Sequence, residues 1–109
     1  MQTLGAHHGC VTVGLAGELD HYTAPDIRAQ LDAILRDPTI RHMVLDLGQM
    51  TFMDSSGIGV LLGRLRVLQA RGGTLSVARM QPQVEKLFFL SGMQRVIGMT
   101  ELGREASAR

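Results

Sequence analysis

The stretch that decides the fold is Phe52-Met53-Asp54-Ser55-Ser56-Gly57-Ile58-Gly59, in which an apolar run passes through a polar turn into an amphipathic segment. Upstream, residues 43–47 are typical of a strand buried on both faces. Residues 48–54 are predicted to connect this strand to a helix capped by Asp54 or Ser55, which Gly72-Gly73 ends. The apolar spacing predicts that five residues of this helix face inward: Ile58, Leu61, Leu62, Leu65 and Leu68.

The rest of the chain alternates between the same two patterns. Further strands are predicted over residues 10–16, 74–78 and 96–98. Further helices are predicted over 24–36, from Pro82 through Val84, Leu87, Phe88 and Leu90, and from Thr100 onward. Strands that alternate with helices indicate parallel pairing with right-handed crossovers. We therefore expect one α/β domain over residues 1–109, with residues 1–8 and 104–109 as frayed ends.

The composition excludes several classes of function. Hydrophobic residues make up 45% of the 109 residues and the net charge is +1, so a core can form but no strong field attracts nucleic acid or an anionic membrane. The single cysteine, Cys10, excludes an internal disulfide and a multi-cysteine zinc site, and its apolar surroundings predict a buried, inert thiol. We predict neither a metal nor a cofactor. With no apolar stretch near ~20 residues and no signal peptide, a cytoplasmic location is expected.

The polar turn is the first candidate site. The first amides of a helix have no intrahelical acceptor, so a serine there can cap the helix or carry a phosphate that these amides stabilise. Gly57 and Gly59 would leave the hydroxyl accessible to the active site of another protein. Ordinary capping, with two glycines present for close packing, explains the same residues equally well.

The segment Gly17-Glu18-Leu19-Asp20-His21 is the second candidate, because it is predicted to leave a parallel strand at the same end of the sheet. There Asp20 could orient the serine hydroxyl and repel a phosphate. An acidic loop in which Asp20 is only a cap is the alternative.

Enzyme mechanisms fit the sequence poorly. A nucleophilic serine needs a histidine base, and of the four histidines only His21 is placed to reach the turn. Ser55 also lacks the Gly-x-Ser-x-Gly setting of a nucleophile elbow, since Asp54 precedes it and Met53 stands where the first glycine belongs. We therefore expect a binding protein and not an enzyme.

At these segments the chain resembles the STAS family, and in particular its anti-sigma factor antagonists of the sporulation sigma F pathway. The resemblance rests on residues 17–21, 40–47, 52–64, 72–73, 84–88 and 91–93. It implies a mixed four- to five-stranded sheet with helices packed mainly on one face. It also implies two partners: an anti-sigma factor that is a serine kinase with bound nucleotide, and a serine phosphatase.

The resemblance further implies roles for individual residues. Ser55 would be phosphorylated, and the unphosphorylated form would bind the kinase and release its sigma factor, which promotes sporulation transcription. The expected partner-binding residues are Asp20, His21, Asp54, Ser56, Gly57, Ile58 and Gly59. Direct contact with nucleic acid or a membrane is not expected. The alternative is a STAS scaffold of the stressosome type, in which the turn binds a small anion or a nucleotide.

Overall fold

A computed structural model describes residues 1–101 and shows helices alternating with strands after an N-terminal hairpin. The five strands are β1 (Gln2–His7), β2 (Cys10–Leu19), β3 (His42–Met53), β4 (Thr74–Ala78) and β5 (Gly98–Thr100). The three α-helices are α1 (Ala24–Ile34), α2 (Ser55–Ala70) and α3 (Pro82–Leu90), and a short 3-10 turn covers Met93–Arg95.

The strands form one mixed sheet in the order β1-β2-β3-β4-β5. β1 is antiparallel to β2, whereas β2, β3, β4 and β5 are parallel neighbours. Each parallel pair encloses one of the three α-helices, as the alternation in the sequence predicts. The mixed sheet of four to five strands is confirmed.

The helices pack on one face of the sheet. Successive side chains of a strand point to opposite faces, and here the odd-numbered residues of the central strands lie in the core with residues of all three α-helices. The strand residues of this core include Val11, Val13, Leu15, Met43, Leu45, Leu47, Leu75 and Val77, and its helical residues include Leu31, Leu61 and Phe88. The opposite face, which we call the open face, carries Thr12, Val44, Asp46 and Ser76.

β2 and β3 are longer than the sequence predicts. Residues 17–19 and 48–53, predicted as connections, continue the parallel ladder from Ala16↔Gln49 to Leu19↔Met53. Two register shifts, one at Gly17 with a φ of +82°, interrupt the alternation that marks a strand in a sequence. Because of these shifts, Met50 and Met53 both reach the core although they are three residues apart.

The N-terminus also differs from the prediction. Of residues 1–8, expected to fray, Gln2–His7 form β1 and pair with β2. His8 and Gly9 join the two strands with φ values of +49° and +78°, the left-handed geometry of a tight hairpin turn. The prediction failed because every β1 residue is exposed, so no buried alternation marks the strand.

Smaller differences concern single residues. Cys10 is only half-buried, since it alternates onto the open face. In α2, Val60 is buried instead of Ile58 and Leu62, which pack against the rim of the core. The last strand starts at Gly98 instead of residue 96, because the 3-10 turn occupies 93–95. Thr100 belongs to β5, and the remainder of the predicted C-terminal helix and the predicted frayed end lie outside the described residues.

Candidate functional site

The parallel pairing of β2 with β3 brings the two candidate segments together. The ladder ends at Leu19↔Met53, so the residues that follow, Asp20 and Asp54, leave the sheet side by side. The Asp54 amide donates to the Leu19 carbonyl at 3.2 Å. The expectation that both segments lie at the same end of the sheet is confirmed.

Asp54, and not Ser55, caps helix α2. Its backbone is extended, and its carboxylate accepts the Ser56 amide at 2.8 Å. Ser55 is the first residue of the helix and is exposed. Within residues 1–101 its hydroxyl has no hydrogen-bond partner. The structure therefore leaves an accessible serine hydroxyl at a positively polarised helix end.

The two glycines of the turn have different tasks. Gly57 is buried, and a Cβ there would collide with the Met53 side chain and lie 3.0 Å from Leu19 Cγ. The missing side chain lets α2 approach the ends of β2 and β3. The expectation that Gly57 also contacts a partner stays a prediction. Gly59 is exposed, and no atom of residues 1–101 outside its own helix backbone would lie within 4 Å of an added Cβ, so it is a surface residue beside the serines.

Asp20 closes the turn between β2 and α1. Its Oδ1 accepts the amides of Tyr22 at 2.9 Å and Thr23 at 3.0 Å. The Thr23 hydroxyl accepts the Asp20 amide at 2.9 Å and donates to the Glu18 carbonyl at 2.9 Å. The Thr23 amide is the largest influence on the carboxyl and lowers its pKa below the ordinary value, while partial burial opposes the shift. Asp20 therefore caps this turn, and its half-buried side chain also borders the site. Its role in binding a partner stays a prediction.

A groove of about 320 Å³ separates the first turns of α1 and α2. From α2 it is lined by Ser56, Gly59 and Val60, and from the α1 side by His21, Ala24, Pro25 and Arg28. The structure thus places the predicted His21, Ser56 and Gly59 around one groove, with Asp54 as the cap of α2. Ile58 does not line the groove and is half-buried against the core. No interaction between His21 and Ser55 is present within residues 1–101.

Sequence reasoning did not single out three charged residues of α1 and α2. Arg28 lines it, and farther along the helices Arg64 Nε of α2 lies 3.1 Å from Asp32 Oδ1 of α1. Arg64 is only 8% exposed, so this ion pair ties together the two helices that begin at the site. The sequence signal that could have identified Arg64 is its position on the otherwise apolar stripe of α2.

Other kinds of site find little support. Within residues 1–101, no three His, Cys, Asp or Glu side chains are grouped so that they could hold a metal ion. Over the same residues, no helix is both long and apolar enough to cross a bilayer.

The comparisons with known proteins agree with this fold. The STAS domain family matches residues 3–106, so the chain belongs to the STAS domain family. Over 91 residues the chain is 40% identical to the anti-sigma F factor antagonist of Paenibacillus polymyxa, covering 84% of this chain and 78% of the relative.

Two solved structures of the anti-sigma factor antagonist SpoIIAA are similar throughout. The unphosphorylated form matches with a TM-score of 0.74 and 29% identity, over 98% of this chain and 93% of that one. The phosphorylated form, from Bacillus, matches with a TM-score of 0.74 and 29% identity, over 99% and 98%. These relatives are regulatory binding proteins, in agreement with the expectation that the chain is not an enzyme.

Proposed function

We propose that this protein is an anti-sigma factor antagonist controlled by phosphorylation of Ser55. Unphosphorylated, it binds an anti-sigma factor that is also a nucleotide-bound serine kinase, and this binding releases the sigma factor. The observation that carries the proposal is the exposed Ser55 hydroxyl at the start of α2, beside the Asp20 turn, which has no hydrogen-bond partner within residues 1–101. The similarity to named antagonists supports the same conclusion.

The proposed cycle consists of two transfers. The Ser55 oxygen attacks the γ-phosphorus of ATP on the kinase, ADP leaves, and the hydroxyl proton passes to a base of the kinase. A serine phosphatase then hydrolyses the phosphoserine with water, releasing inorganic phosphate and restoring the hydroxyl. Neither step needs a cofactor held by this chain, and neither involves nucleic acid or a membrane.

Charge explains why the phosphate would prevent binding. It adds about −1.5 to −2 charges at pH 7. Asp54 follows β3 directly and Asp20 follows β2 directly, so the phosphate would join two carboxylates already present. The α2 N-terminus offsets part of this charge within the molecule. A partner surface that excludes water around Ser55 would still have to bury an unpaired dianion, which is costly.

The sigma F pathway is the setting we propose, with sporulation transcription as the process promoted and the cytoplasm as the location. The 40% identity to the Paenibacillus polymyxa antagonist favours this pathway. The proposed partners are then one anti-sigma factor kinase and one serine phosphatase.

The test is phosphate transfer to matched serine variants. The purified chain, Ser55→Ala and Ser56→Ala are incubated with ATP and the anti-sigma factor kinases of the source genome, with the anti-sigma F factor of Paenibacillus polymyxa as a reference. Ser55→Ala should take up no phosphate and keep binding the kinase, because Asp54 still caps the helix. Ser56→Ala should be phosphorylated.

Two outcomes would contradict the proposal. Phosphate uptake by Ser55→Ala but not by Ser56→Ala would show that Ser56, and not Ser55, is the modified serine. Absence of kinase binding by the unmodified chain, together with direct binding of a nucleotide or small anion at the turn, would favour the stressosome-type scaffold instead.

A further inference from the structure

The turn between β2 and α1, which lies beside the start of α2, carries the highly exposed side chain of Tyr22. Tyr22 is 87% exposed, more than any other large hydrophobic side chain in residues 1–101. It is the only tyrosine of the chain, which also lacks tryptophan. Within the described residues its hydroxyl has no hydrogen-bond partner, and the one aromatic ring that contacts it is His21, edge to face with centroids 5.5 Å apart. The side chain therefore contributes little to folding.

The backbone beneath this exposed ring is fixed. The Tyr22 amide donates to Asp20 Oδ1 at 2.9 Å. The next residue, Thr23, donates from its amide to Asp20 and from its hydroxyl to the Glu18 carbonyl. An aromatic ring on a rigid turn loses little conformational freedom on binding, since only two side-chain torsions must be ordered. Tyrosine is, with tryptophan and arginine, the residue type that most often dominates binding energy.

We propose that Tyr22 is the main anchor of this protein on its anti-sigma factor, where its ring enters an apolar pocket with a basic rim. This inference rests on the proposed function. The pocket is apolar because the ring offers no charge, and its rim is basic because two acidic residues, Glu18 and Asp20, precede Tyr22 at the end of β2 and the start of the same turn. The ring lies on the turn that runs beside the serine, so one partner surface covers both.

The experiment measures dissociation constants for the unphosphorylated chain and three variants. Each is titrated against two nucleotide-bound partners, the anti-sigma F factor of Paenibacillus polymyxa and the source-genome kinase. Tyr22→Ala should bind about 30-fold more weakly, since losing an anchor costs on the order of 2 kcal/mol and 1.4 kcal/mol is tenfold. Tyr22→Phe should keep most of the affinity, because the ring supplies the contact. Leu90→Ala is the control and should bind like the unmodified chain. Leu90 is also highly exposed, at 76%, but it lies at the end of α3, which runs from β4 back toward the start of β5.

All variants should melt at the temperature of the unmodified chain, which separates a binding effect from a folding effect. Equal affinity of Tyr22→Ala and the unmodified chain would overturn the anchor while leaving the proposed function intact. Equal losses in Tyr22→Phe and Tyr22→Ala would overturn the apolar pocket, because the hydroxyl would then carry the contact. If the unmodified chain binds neither kinase, the proposed function fails and the anchor with it.

Discussion

The Asp20 carboxylate has two separable properties, an acceptor oxygen and a negative charge. The oxygen accepts the amides of Tyr22 and Thr23 and holds the turn, whereas the charge borders the region in which a phosphate on Ser55 would lie. Asparagine keeps the acceptor oxygen without the charge, whereas alanine removes both. Comparing the two substitutions therefore separates the contribution of Asp20 to stability from its contribution to binding.

Asp20→Ala should lower the melting temperature measurably and weaken kinase binding, because it removes both properties. Asp20→Asn should melt close to the unmodified chain and still bind more weakly, because only the charge is lost. Thermal melts and kinase titrations on both variants check this. An unchanged melting temperature in Asp20→Ala would show that the two amide bonds add nothing to the fold.

A second carboxylate, Asp46, is buried on the open face and paired with an exposed arginine. Arg79 donates to it from Nε at 3.1 Å and also from Nη2, and the Gly48 amide donates at 2.9 Å. Burial acts to raise the pKa of Asp46, but the Arg79 and Gly48 bonds outweigh it and hold the pKa below its ordinary value. Arg79 adopts a left-handed φ of +57°, so the backbone is strained where the pair forms.

This pair predicts a pH-dependent stability. Because the folded-state pKa of Asp46 is lowered, its bonds stabilise the fold above the unfolded-state pKa of about 3.9 and are lost as the pH falls through the folded-state pKa. Arg79→Ala should therefore destabilise the chain at pH 7, and the difference from the unmodified chain should shrink in strong acid. Urea titrations at pH 7 and in strong acid measure the unfolding free energy of both chains. A difference between them that does not change with pH would refute the role of the pair. Arg79→Gly, which relieves the left-handed strain, should be more stable than Arg79→Ala.

Helix α2 depends on close contact with the strand ends at its first turn. A Cβ on Gly57 would displace the Met53 side chain, which is 6% exposed and part of the core. Gly63, in the middle of the same helix, would have nothing within 4 Å of an added Cβ and so offers a matched substitution.

Gly57→Ala should cost about 1–3 kcal/mol of unfolding free energy, the usual range for overpacking. Gly63→Ala should instead stabilise by about 0.5–1 kcal/mol, because alanine restricts the unfolded chain and favours helix. Chemical denaturation of both variants provides the comparison. Stabilisation by Gly57→Ala would mean that Met53 repacks without cost and that the glycine is present for access after all.

The sequence predicts an element well where its periodicity is uninterrupted. Strand Thr74–Ala78 and the start of α3 at Pro82 were predicted correctly, because alternation and a proline at the first helical position are local signals. The ends of β2 and β3 could not be predicted, since two register shifts disturb the alternation there. At the site, the juxtaposition of Asp20 and Asp54 follows from parallel pairing, but the burial of Gly57 depends on side chains that only the folded chain brings together.

At the scale of the whole molecule, the site lies at one end of a continuous core. Leu19 and Met53, the last ladder pair, belong to the same core cluster as residues of β4 and all three α-helices. The Ser55 side chain, by contrast, is exposed, and its hydroxyl has no hydrogen-bond partner among residues 1–101. A group added to the Ser55 hydroxyl would therefore lie in solvent and would not contact the core.

Phosphorylation should therefore change binding while leaving the fold in place. The α2 N-terminus is fixed by the Asp54 amide on the Leu19 carbonyl at 3.2 Å and by the packing of Gly57, and neither contact involves the Ser55 oxygen. A phosphate there changes the local field, which the helix amides partly offset, and displaces no buried side chain. Backbone amide chemical shifts of the two forms should differ for residues 18–28 and 52–60 and coincide for β4 and α3. Kinase affinity, measured on the same samples, should fall sharply in the phosphorylated form. Shift changes that extend through β4 would show that the phosphate rearranges the core, and the control of binding would then be conformational instead of electrostatic.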